Sequence, residues 1–77
     1  MQSPRMKNTH ILNSRKIASK VRTFRKTRGM SQEQLAHAAG IDRTYASQIE
    51  RAIANPSLSV LCRIADVFEM DLKDLFN

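Results

Sequence analysis

Apolar positions recur at helical spacing along most of the chain. From roughly Ser14 to Arg28, Ile17, Val21 and Phe24 return every three or four residues while Lys20, Arg22 and Lys26 fall elsewhere, which predicts an amphipathic helix. Gly29 follows and suits the left-handed conformation that ends a helix. The stretch "SQEQLAHAAG" carries its own start and stop. Ser31 caps a second helix of about two turns, Gln34 completes a capping box, and Gly40 terminates it. Ile41 and Asp42 form a short turn, Asp42 is a good N-cap, and a third helix is predicted to run to about Arg51.

Beyond the loop "AIANP", Pro56 and the capping Ser57 introduce a fourth helix in which Leu58, Leu61, Ile64, Ala65 and Phe68 are expected to face inward. Asp71 then caps a last short helix, "LKDLF". Residues 1–10, "MQSPRMKNTH", lack apolar periodicity and read as a mobile basic arm, either inert or touching a polyanion. The expectation is an all-α bundle of about five helices over residues 11–77, with a helix-turn-helix at the second and third.

On a wheel at 100° per residue, Arg43, Thr44, Ser47, Gln48 and Arg51 of the third helix fall within an arc of about 140°. Tyr45, Ala46, Ile49 and Ile53 fall opposite and are assigned to the core. The polar arc lacks the Glu/Lys alternation of an ordinary solvated face. Its residues suit base edges: Arg forks onto guanine, Gln pairs with adenine, and the Thr methyl packs on thymine. A merely solvated face would also hold such residues, so this helix alone leaves both readings open.

Charge narrows the choice of partner. Thirteen Lys and Arg stand against seven Asp and Glu, a net +6 in 77 residues, and this favours a polyanion. All nine charged residues before Gly29 are basic, whereas Asp66, Glu69, Asp71 and Asp74 lie near the C-terminus. The one cysteine, Cys62, cannot form an internal disulfide, which fits a reducing cytoplasm, and its place in a helical run suggests packing at the core or its edge. No apolar run approaches the ~20 residues of a membrane span, and no signal peptide is recognisable. His10 and His37 have no second ligand at metal spacing, and no nucleophile elbow, phosphate loop or paired carboxylate motif frames Ser, His or Asp. Neither metal, cofactor nor small-molecule ligand is expected, nor catalysis.

The stretch from "RTFRKTRGMSQEQLA" through "GIDRTYASQIER" and "NPSL" to "DLF" resembles the Cro/C1-type (XRE) helix-turn-helix family over about four-fifths of the chain. Within it, "GIDRTYASQIER" looks most like the small controller proteins of restriction–modification systems. The resemblance implies a lambda-repressor-like DNA-binding domain. It also implies roles: Gln32 binds a phosphate and sets the register, while Arg43, Thr44, Ser47 and Gln48 face bases, with Arg51 on the same face. Tyr45, Asn55 and Ser57 match positions reaching the sugar-phosphate backbone. Arg25 and Glu50 match a buried ion pair between the first and third helices, which removes Arg25 from the DNA-binding charge.

One departure stands out. Relatives usually carry Gly and then one or two cations where this chain has Ala52, Ile53 and Ala54, so a reshaped loop and a longer third helix are expected there. Phe68, Met70, Leu72, Leu75 and Phe76 are expected to supply a self-association surface, because a two-fold dimer doubles the contacts and reads a pseudo-palindrome. The leading reading is a homodimeric transcriptional regulator on double-stranded DNA, cytoplasmic and nucleoid-associated, which blocks RNA polymerase or recruits it. With no sensor domain expected in 77 residues, its own concentration would be the control variable. The alternative is an antitoxin-like or adaptor module that holds a protein partner; the chain's end just after the last expected helix argues against it. A membrane-docking first helix would leave the downstream motifs unexplained.

Overall fold

Each helix in the computed structural model, which describes residues 2–76 and the side chains from Ser14 onward, stops in the same way. The four α-helices are α1 (Gln2–Thr27), α2 (Gln32–Ala39), α3 (Arg43–Glu50) and α4 (Leu58–Val67). After them, Gly29, Gly40, Ala52 and Glu69 adopt φ of 67°, 70°, 61° and 56°. At each, paired backbone bonds close the last turn: Ala52 N–H donates to Ile49 O and Ile53 N–H to Gln48 O, as Glu69 does to Asp66 and Met70 to Ala65. This double bond satisfies carbonyls that a helix end otherwise leaves unpaired. The left-handed conformation is natural to glycine, but Ala52 and Glu69 adopt it against their Cβ.

The third helix is therefore not extended. Ala52 takes a left-handed conformation that is natural to glycine, and α3 stops at Glu50. Because the chain turns there, the helical wheel no longer applies to Ile53, which is 62% exposed rather than in the core. The starts are as the sequence predicts: Ser31 and Gln34 form a capping box, Asp42 accepts from Thr44 N–H, and Ser57 accepts from Val60 N–H.

Two element boundaries differ from expectation. The first helix begins at Gln2 instead of near Ser14, so the backbone of the expected arm, from Gln2 to His10, is helical. Pro4 falls in the first turn, where its missing N–H has no helical acceptor to lose. The expected fifth helix is a 3-10 turn, Leu72–Leu75, held by Asp71 N–H donating to Asp74 Oδ2 at 3.1 Å. Short helical pieces of this length commonly adopt the tighter 3-10 form.

The core joins Ile17 and Val21 of α1, Leu35 and Ala39 of α2, Ile49 of α3, and Val60, Leu61, Ile64 and Ala65 of α4 with Phe68 and Leu75. Phe68 (1% exposed) and Leu75 (0%) thus close the monomer's own core and drop out of the expected self-association surface. Met70 and Leu72 pack partly against that core, which leaves Phe76 exposed at 37%. Arg28 seals this end, its guanidinium 5.1 Å from the Phe68 ring centre and 2.8 Å from the Phe68 carbonyl. Leu58 is 63% exposed and Cys62 is exposed, both against expectation, because Val60 takes the inward place at the start of α4.

A buried ion pair locks α1 to α3. Arg25 Nε donates to Glu50 Oε2 at 2.6 Å, its Nη2 donates to Glu50 Oε1 at 2.9 Å, and its Nη1 donates to Met30 O at 2.7 Å. The fork engages both carboxylate oxygens, and Glu50 is 3% exposed. Such a pair is retained because each partner compensates the other's lost hydration.

Two stability predictions follow from these ends and this pair. Ala52→Gly should relieve left-handed strain of about 1–2 kcal/mol, partly offset by about 0.4–1 kcal/mol of unfolded-chain entropy, so thermal melting should rise by a few degrees. Glu50→Gln, which strands the Arg25 charge, should lower the unfolding free energy in urea by about 3–5 kcal/mol.

Candidate nucleic-acid interface

The third helix offers an uncommitted polar face on a fixed base. Ala46 and Ile49 are buried beneath it, and Tyr45 packs partly against the core. Arg43, Thr44 and Arg51 are exposed, and Ser47 and Gln48 are half-buried. Among the described residues, none of these five side chains is held by a hydrogen bond within the chain. Asp42 caps the helix through Thr44 N–H at 2.9 Å, so Arg43 and Thr44 project from its very first turn. A rigid helix with free donors and acceptors at its N-terminal end matches the geometry that enters a major groove.

Gln32 opens α2 and is half-buried. Its Nε2 donates to Glu50 Oε1 at 3.2 Å, the oxygen already engaged by Arg25 Nη2. The residue expected to grip a phosphate is therefore tied to the C-terminal end of α3. One amide hydrogen goes to Glu50, and the second is without a partner among the described residues.

Arg22 completes this junction, and sequence reasoning missed it. Its Nη1 donates to the Glu50 carbonyl at 2.8 Å, which satisfies a carbonyl at the C-terminal end of α3. The signal was present: Arg22 precedes Arg25 by three residues, so the two lie on one side of α1. Also missed was Arg63, whose Nη1 reaches Ala39 O at 3.5 Å and Gly40 O at 3.4 Å, weak contacts that hold α4 against the turn between α2 and α3. No sequence pattern announces that contact.

The remaining expected positions divide. Asn55 and Ser57 are exposed on the segment leading into α4. Ser57 Oγ accepts from Val60 N–H at 3.2 Å, so it serves first as an N-cap, and its hydroxyl hydrogen is left to donate. Tyr45 is half-buried beside them and packs partly against the core. Among the described residues, no group of acidic, His or Cys side chains could hold a metal ion, and no helix is long and apolar enough to cross a membrane.

Comparison with known proteins agrees with this geometry. The family model described as Helix-turn-helix matches residues 21–75. Control protein C.SmaI from Serratia marcescens is 37% identical over 61 residues, 79% of this chain and 73% of its own length. The transcriptional regulator SlrR from Bacillus subtilis is 38% identical over 58 residues, 74% of this chain; the match spans only 38% of that regulator. The solved restriction-modification controller protein C.AhdI from Aeromonas hydrophila superposes with a TM-score of 0.81 at 32% identity, covering 84% of this chain and 98% of that one. With most of its length matched by the family model and its two short helices arranged as these relatives require, the chain belongs to the Cro/C1-type (XRE) helix-turn-helix family of DNA-binding transcriptional regulators.

Proposed function

We propose that this chain is a sequence-specific regulator that binds a pseudo-palindromic operator as a homodimer, most like the controller proteins of restriction–modification systems. The observation that carries this reading is the face of α3. Arg43, Thr44, Ser47, Gln48 and Arg51 stand together without partners among the described residues, on a helix whose far end is fixed by Arg25, Arg22 and Gln32. Free polar groups on a rigid support are what direct base readout needs. Gln32, Asn55 and Ser57 lie at helix starts, where side-chain and backbone donors suit phosphates, and they set the register without reading sequence. Bound at a promoter in the cytoplasm, on the nucleoid, such a dimer blocks RNA polymerase or, from an upstream site, recruits it.

The dimer reading needs a different surface from the one first expected. With Phe68 and Leu75 inside the core, the exposed large apolar side chains among the described residues are Ile53, Leu58 and Phe76. Ile53 and Leu58 flank the entry to α4, and Cys62 lies one turn further along that helix's exposed side. Leu58 is the anchor we assign to a two-fold contact, which would place the two recognition helices about 34 Å apart in successive major grooves.

Arg43→Ala should weaken binding to the cognate duplex by about 1–3 kcal/mol and relax the preference at one base position per half-site. Equal weakening on every sequence would make Arg43 a phosphate contact instead. Leu58→Glu should leave the melting temperature nearly unchanged and convert a sedimenting dimer into a monomer; an unchanged sedimentation coefficient would remove α4 from the interface.

A further inference from the structure

A second line of basic side chains runs along α1 beside the recognition helix. Arg15, Ser19, Arg22 and Lys26 are all exposed, and their spacing of four, three and four residues places them on one side of the helix, within about 60°. Lys16 and Lys20 lie on the other flank, where Lys20 Nζ sits 5.9 Å from the centre of the Phe24 ring. The line is about 16 Å long at 1.5 Å per residue, comparable with about five nucleotides of one strand at 3.4 Å of rise each.

Its position is fixed by one bond. Arg22 Nη1 reaches the Glu50 carbonyl, so the middle of the line abuts the C-terminal end of α3. Arg15 and Lys26 have no partner among the described residues, and α1 contains no carboxylate to neutralise them. Among the described residues, the buried Arg25 engages both carboxylate oxygens of Glu50. Meanwhile the loop leaving α3 on its other side, Ala52 to Ala54, carries no cation.

We infer that Arg15 and Lys26, with Ser19 and Arg22 between them, form a phosphate-binding track that grips one strand of duplex DNA beside the end of α3. The track reads no base. It supplies charge that the neutral loop lacks, and Arg22 joins it to the helix that does read bases, so gripping the strand and seating α3 occur together. This inference rests on the DNA-binding reading proposed above and adds a second contact surface to it.

The test is a salt titration of the Arg15→Gln/Lys26→Gln double variant against wild type. The probes are a duplex enriched from random sequence by the wild-type protein and a scrambled duplex of the same length. Lys73→Gln, on the closing 3-10 turn, controls for net charge. The track predicts that the double variant's slope of log K against log salt is shallower by about 1.8 for each protomer bound, while Lys73→Gln leaves the slope unchanged. The preference for the enriched duplex over the scramble should stay within about twofold, and phosphate-ethylation interference should lose signals in each half-site. An unchanged slope and ethylation pattern in the double variant would overturn the track. So would a loss of sequence preference, which would make the pair part of base readout. Binding of wild type to phosphatidylserine vesicles that the double variant abolishes, with DNA binding untouched, would assign the track to a membrane instead. Failure of the wild type itself to prefer any duplex would overturn the regulator reading, a result visible before any variant is compared.

Discussion

The fork of Arg25 on Glu50 organises this small domain. It joins α1 to α3 through two short bonds to one carboxylate, with both side chains almost out of water. Around it gather Gln32 from α2 and Arg22 from the preceding turn of α1, so three helices meet at the C-terminal end of the recognition helix. An isolated helix of eight residues is unstable in water. Held at that end and capped by Asp42 at the other, α3 has little freedom left, which suits the base contacts proposed for its outward side chains. Pre-organisation of this kind lowers the ordering cost of association.

Chain reversal is the second constraint. Four left-handed residues end four helices, and only Gly29 and Gly40 do so without strain. At Gly40 the left-handed backbone is what calls for glycine; a substituted Cβ would also meet the end of the flexible Arg63 side chain at 3.3 Å. Ala52 carries strain at the exit from the recognition helix. The residue's own preference disfavours that conformation, and the turn is closed by Ala52 N–H donating to Ile49 O and Ile53 N–H to Gln48 O.

Local chemistry was legible in the sequence; choices made by tertiary packing were not. Ser31, Gln34, Asp42, Ser57 and Gly40 act within a few residues of themselves, and each behaves in the structure as its type and spacing predict. The inward face of α4 was a near-tie, since Leu58 and Val60 lie at similar angles from its centre and only the neighbouring helices decide between them. Phe68 and Leu75 looked surplus because a one-dimensional pattern cannot show how much apolar surface the closing turn must cover. Ile53 faces solvent because a helical wheel does not extend past the left-handed Ala52. At the site, the five-residue face of α3 was visible from spacing alone, and the Arg25 and Glu50 pairing from family resemblance. Arg22 and Arg63 act across 28 and 23–24 residues through backbone carbonyls, which carry no sequence signature.

The central claim is that α3 reads base edges, and selection from random duplex DNA followed by salt titration tests it most directly. The account predicts a two-fold symmetric site whose half-sites are about one helical turn apart, bound about 10³-fold or more tighter than a scrambled duplex. Recovery of no preferred sequence, with all duplexes binding alike and weakening together as salt rises, would contradict it and reduce the affinity to phosphate electrostatics alone.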